Sequence, residues 1–172
     1  MTYIIGLGTP SDPAALKLET RARRFIHNEI RPEVHPDIMR ERIRITQDAF
    51  PAVEPVSAST VYNCYGLAFA ARRCWIADEM DVEAILNDDG YRKLPWDPAA
   101  WLVGDVVLYR NNSGELAHVG IVARKTNDFT TGEIKVDVLS AWGESGEYLH
   151  PIDVVSSLLG KPSEVVSQRF LV

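Results

Sequence analysis

The stretch Gly104–Lys125, GDVVLYRNNSGELAHVGIVARK, decides how this chain is read. Apolar and polar positions alternate in both halves, and Asn111-Asn112-Ser113-Gly114 separates them with turn-forming residues. The pattern is a hairpin: a strand over 105–110, a turn, and a second strand over about 117–124. In the second strand, the period of two puts His118, Gly120 and Val122 on one face, with Val119 and Ile121 on the other. A further turn, TNDFTTGE, and a third alternating run, IKVDVLSA, extend the hairpin into an antiparallel meander, which SQRFLV closes as a last strand.

Upstream the period is helical. Asp12 and Pro13 read as N-cap and first residue of a helix running to about Ile30, with Ala15, Leu18, Ala22, Phe25 and Ile30 as its apolar stripe. Pro36–Phe50 is ambiguous, since HPDIMRER begins like a helix and RIRIT alternates like a strand. Pro51, Pro55 and SAST form a loop leading to Tyr62, and a helix follows from Cys64 to about Arg73. Asp81 caps a short helix over Val82–Asn87 that Gly90 ends, WDPAAW is a turn, and Pro151–Leu159 reads as a helix stopped by Gly160. Helices first and a meander after them predict an α+β fold. We expect one domain over residues 1–172, with 1–57 a helical extension and 58–172 the core.

Composition narrows the function classes. A chain of 172 residues, 46% hydrophobic, can bury one core. The net charge is −6, and the basic residues between Arg21 and Arg44 are interleaved with glutamates, a solvated face that argues against nucleic acid. No apolar run approaches the roughly 18 residues that cross a bilayer, so no membrane partner is expected. The opening MTYIIGLGTPSDP has neither the charged region nor the apolar length of a signal peptide. With two thiols about 15 Å apart along one predicted helix, too far for a disulfide, this makes a cytoplasmic location, or delivery by a non-classical route, the expectation. The four histidines lack metal-pair spacing and there is no C-x-x-C or H-E-x-x-H, so neither metal nor cofactor is expected. GLGTPSDP has two of the three glycines of a dinucleotide loop, and a proline within it. The sequence leaves the oligomeric state open.

The chemistry-bearing stretch is TVYNCYGLAFAARRCW, Thr60–Trp75. Cys64 opens the predicted helix, where unpaired backbone amides lower a thiol's pKa and can hold an oxyanion. His118, at the head of the second hairpin strand, supplies a base if the helix lies across its face, with Gly120 leaving room for the approach. The position opposite His118 on the next strand falls near Leu139 or Ser140, and Ser140 could orient the imidazole, with Glu144 and then Asp137 as alternatives. Cys74, His27, His35 and His150 read as structural or solvated residues, and Trp142 and Tyr148 as cleft-lining or packing aromatics.

NCYGLAFA, GDVVLYRN, AHVGIVAR and LSAWG, in that order, resemble the papain-like cysteine peptidases and amidases of the NlpC and CHAP type over roughly Val61–Gly143. The resemblance implies a papain-like core, its nucleophile helix packed on an antiparallel sheet and preceded here by N-terminal helices. It makes Cys64 the nucleophile, His118 the base and Ser140 the third polar group, with Tyr62, Asn63, Glu144 and Trp142 around the oxyanion and substrate. The departures are serine at the third position and Asn-Cys-Tyr where the NlpC type commonly has Asp-Cys-Ser. The implied activity is hydrolysis of an amide bond in a peptide or peptidoglycan-like substrate. The alternatives are a catalytically silent binding module and an acyltransferase using the same site.

Overall fold

In the computed structural model, residues 3–9, 12–154 and 159–168 are described. The chain opens with a hairpin, β1 (Tyr3–Thr9) and β2 (Asp12–Glu19), paired antiparallel. Next come α1 (Pro36–Ala49), β3 (Glu54–Ser57), α2 (Cys64–Phe69), α3 (Glu79–Asp88) and β4 (Arg92–Lys93). β5 (Val106–Arg110), β6 (Leu116–Asn127), β7 (Ile134–Ala141), β8 (Glu147–Pro151) and β9 (Lys161–Ser167) complete the order. Seven of the strands form one antiparallel sheet in the order β3-β8-β7-β6-β5-β9-β4. The fold is α+β. Among the described residues, no helix is long and apolar enough to cross a membrane.

The predicted hairpin and third strand are present as β5, β6 and β7. The helix expected over 12–30 is not. β2 occupies its first part, and the chain then returns on itself: Ile26 N donates to Leu18 O at 2.9 Å. The buried Asn28 side chain holds Leu16 at both backbone groups, 2.8 and 2.9 Å. The spacing of Ala15, Leu18 and Ala22 suits a helix, but Ala15 and Leu18 are buried in a ladder instead, while Ala22 is exposed in the turn that Arg23, at φ +65°, helps to make. Pro36–Ala49, the ambiguous stretch, is helical throughout. Pro36 sits in its first turn, and the His35 ring Nδ1 accepts from Asp37 N at 3.3 Å. The helix over Val82–Asn87 starts three residues earlier, capped by Asp78 rather than Asp81. Pro151 ends a strand, and 155–158 of the helix expected after it lie outside the described residues. The last strand falls at Lys161–Ser167 rather than over SQRFLV, of which 169–172 lie outside the described residues.

β5 shows how the sheet divides the core. Val106 and Leu108 face one way, into a cluster with Leu18, Ile26, Phe69, Ile85 and Val119. Val107 and Tyr109 face the other, into a cluster with Trp101, Val122, Val138, Tyr148 and Val165. α2 covers the first face, and α1, through Ile43 and the following Phe50, packs on the second. The edges are short. β3 has four residues, including Pro55, and β4 has two, both basic.

α2 is shorter than its apolar pattern suggests. It stops at Phe69, and Ala71 and Arg72 follow in left-handed conformation, at φ +50° and +62°. Ala70 N and Arg72 N both donate to Gly66 O at 3.1 Å, which closes the helix. The chain then passes so near Gly66 that a Cβ there would overlap the Cys74 carbonyl. Helix propensity alone favours alanine over glycine at position 66 by about 1 kcal/mol. We expect Gly66→Ala to destabilise instead, by about 1–3 kcal/mol, because backbone must move. Urea unfolding checks this, and an unchanged or raised midpoint contradicts the close approach.

Candidate functional site

Cys64 is the first residue of α2, as expected, and Asn63 is its cap. The Asn63 side chain is fully employed there. Its Oδ1 accepts from Gly66 N at 2.9 Å and from Ile76 N at 3.2 Å, and its Nδ2 donates to Ile76 O at 2.7 Å. Asn63 therefore staples the helix start to the returning chain instead of pointing at a reacting carbonyl. Tyr62 is committed as well. Its hydroxyl donates to Glu147 at 2.6 Å, and Glu147, only 2% exposed, receives both arms of the Arg72 guanidinium at 3.0 Å. Burial, then the bond to Glu147, pushes the Tyr62 phenol up, and the same carboxylate raises Arg72. Sequence reasoning did not single out Glu147 or Arg72. The signal was the strand-like alternation of GEYLHP, which puts Glu147 and Leu149 on one face of β8 and Tyr148 and His150 on the other.

Cys64 is buried within the first cluster, with the backbone amide of Val119 on β6 within reach of its sulfur. Burial pushes the thiol up to about 11, outweighing the backbone amides of Val119, Tyr65 and Cys64 itself, which pull it down. The Tyr65 hydroxyl, close enough for its phenol to feel the sulfur's charge, donates to Leu116 O at 2.8 Å. Cys74 is also a buried free thiol, pushed up to about 12 by burial alone.

His118 lies on the opposite face of β6. Its partner across the ladder is Tyr109, whose ring centre is 5.5 Å away, and Tyr109 belongs to the second cluster. His118, Gly120 and Val122 do share a face, but α2 covers the other one, over Val119 and Ile121. Gly120 makes room for β7, not for the helix: a Cβ there would run into the Val138 side chain and come within 3.3 Å of Ser140 Cβ. A bulge at Ala117 explains why Leu116, two residues before His118, still packs beside Cys64. The structure thus does not bring Cys64 and His118 together, which corrects the expected pairing.

Ser140 is likewise on the His118 face but serves a different histidine. The register sets Ile121 opposite Leu139, which leaves Ser140 beside Gly120 rather than opposite His118. Its Oγ is 2.7 Å from His150 Nε2, and Trp142 Nε1 donates to it at 3.0 Å. His150 Nδ1 lies 2.9 Å from Pro151 O, which can only accept, so Nδ1 carries the proton and Nε2 receives the Ser140 hydroxyl. The bond is satisfied and sealed: Ser140 and His150 are both fully buried. His118 Nε2, by contrast, has no hydrogen-bond partner among the described residues. Burial, then the neighbouring His150, pushes His118 down to about 3, and burial lowers His150 too.

The remaining site candidates are structural in their contacts. Trp142 packs edge-on against Phe50 and His150, with ring centres 5.4 and 5.7 Å away, and tilted against Tyr148 at 4.9 Å. Glu144, in a single 3-10 turn at Gly143–Ser145, pairs with Arg42 of α1 at 3.1 Å. Asp137 pairs with Arg124 at 2.7 Å. Among the described residues, no three His, Cys, Asp or Glu side chains are grouped as metal ligands. No family model, curated protein or solved structure matches the chain.

The two buried neutral histidines fix a pH response. Their folded pKa values lie below that of an unfolded histidine, so below about pH 6.5 the unfolded chain binds protons that the folded chain refuses. Stability is full above pH 6.5 and falls as pH drops toward about 3, the folded value of His118. We expect His118→Leu, which removes the unpartnered Nε2, to stabilise by about 1 kcal/mol at pH 8 and by more at pH 5. Denaturant titrations at the two pH values measure it, and equal effects at both contradict the assignment.

Proposed function

We propose that this chain is a catalytically silent domain on a papain-like core of the NlpC and CHAP type, used to bind a partner rather than to cleave an amide. The order of elements supports the core: a short helix opened by Cys64, then the antiparallel strands β5, β6 and β7, with α2 packed on β6. One observation carries the function. The Cys64 sulfur and the His118 imidazole stand on opposite faces of β6, each buried and each shifted toward its neutral form. A thiol pushed up to about 11 is less than one part in a thousand thiolate at neutral pH. A histidine on the far side of the sheet cannot take its proton.

The second reading is acyl transfer through Cys64, to water or another acceptor, on a peptide or peptidoglycan-like substrate. What favours it is the set of three backbone amides, of Cys64, Tyr65 and Val119, that lower the thiol. That reading requires the sulfur to be uncovered and a base other than His118 to reach it.

Alkylation by iodoacetamide, followed peptide by peptide with mass spectrometry, separates the two. The silent module predicts Cys64 labelling at pH 7 at least about tenfold slower than in the urea-unfolded chain, with a rate still rising beyond pH 9. Faster labelling than in the unfolded chain, with an inflection below about pH 7, establishes an activated nucleophile instead.

A further inference from the structure

A groove of about 420 Å³ opens on the sheet face opposite α2, walled by Trp96, Trp101, Val136, Ile152 and Pro162. That size is ordinary for a small-molecule site. Resting on the binding-module reading, we propose that this groove binds a neutral oligosaccharide, one pyranose ring stacked on the Trp96 indole.

The groove is built before any ligand arrives. Trp96 is 55% exposed, yet its ring packs edge-on at 5.0 Å against Trp101, which is only 1% exposed. Trp101 is pinned in turn. Its Nε1 donates to Pro95 O at 2.9 Å, and its carbonyl receives the Lys125 ammonium at 2.6 Å. Ile152 is held through its carbonyl, which accepts from the Tyr109 hydroxyl at 3.0 Å. A wide, flat, apolar ring face is thus offered to solvent at little ordering cost.

The polar groups decide what lies on that face. The carboxylates of Glu133, Asp137 and Asp153 line the groove together with the Lys135 ammonium. Arg124 pairs with Asp137 at 2.7 Å, Lys135 lies 4.0 Å from Asp128, Lys125 stands behind Trp101, and Asp153 is engaged as well. Walls of both signs, with ion pairs among them, complement neither a cation nor an anion, so the ligand is neutral. An ion-paired carboxylate still keeps acceptor capacity, because it has about four lone-pair sites and a pair uses one or two. The lining is therefore rich in acceptors and suits a ligand rich in donors. A proline-rich peptide, another uncharged guest for an aromatic-lined groove, brings carbonyls and few N–H groups, and so meets the wrong partners. A pyranose meets the right ones. Its axial C–H bonds give the ring an apolar face that fits the indole, and its hydroxyls donate to the lining carboxylates.

The test uses the full chain and the neutral hexasaccharides cellohexaose, maltohexaose and chitohexaose, each titrated to about 1 mM by calorimetry, with decaproline as the peptide control. The expected result is saturable binding of at least one sugar, a change in tryptophan fluorescence, and no weakening as salt is raised. Trp96→Ala should weaken binding at least about tenfold, Trp96→Tyr should retain part of it, and Glu133→Ala and Asp153→Ala should each cost about three- to tenfold. These positions are exposed, and unchanged urea midpoints will show that the variants fold. The proposal is overturned if none of the sugars binds, if Trp96→Ala changes nothing, if binding falls steeply with salt, or if decaproline binds in their place. A slow Cys64 thiol with no sugar binding removes the groove alone, whereas a fast one removes the silent-module reading whatever the groove does.

Discussion

β6 is buried on both faces from His118 to Val122, and that constraint organises the molecule. A strand offers its side chains two directions only, and here each direction is committed to a separate core. Val119 and Ile121 receive α2, while His118 and Val122 look into the cluster of Tyr109, Val138 and Tyr148. Neighbouring strands on either side, β5 and β7, repeat the division, so a residue's parity along the strand settles which core it joins. The bulge at Ala117 changes the parity, and it lets Leu116 join the helix side.

The polar groups caught in these cores are unequally provided for. Glu147 has a tyrosine hydroxyl and both arms of a guanidinium, enough to offset the cost of taking a carboxylate out of water. Ser140, His150 and Trp142 form a closed chain of bonds that ends on a backbone carbonyl. His118 is the exception, kept neutral by burial with one nitrogen unsatisfied. Burying a ring nitrogen that has no hydrogen-bond partner among the described residues costs stability.

The meander was legible because alternation over IKVDVLSA and the hairpin runs is a local signal, and turn residues bound it. The start of α2 at Cys64 was legible from the short apolar run of small residues that begins there, but the capping role of Asn63 was not read. Which face of β6 the helix would cover was not legible. Both faces carry apolar residues, and the glycine that suggested room for a helix in fact accommodates Val138 and Ser140 of the adjoining strand. The N-terminal hairpin was missed because Ala15 and Leu18 satisfy a helical period as well as a buried ladder, and the deciding contact, Asn28 with Leu16, is twelve residues away. β8 was hidden in a polar loop whose short period-two run passed for the approach to a helix.

The sheet ends as it does for a reason that concerns neighbouring molecules rather than this one. Its two outer strands are four and two residues long, one carrying a proline and the other made of Arg92 and Lys93. A second copy arriving side by side would find little ladder to extend, one missing amide, and like charges facing it. The longest strand, β6, lies in the middle of that sheet, paired on both sides, and has no free ladder from which lateral growth into fibres could start.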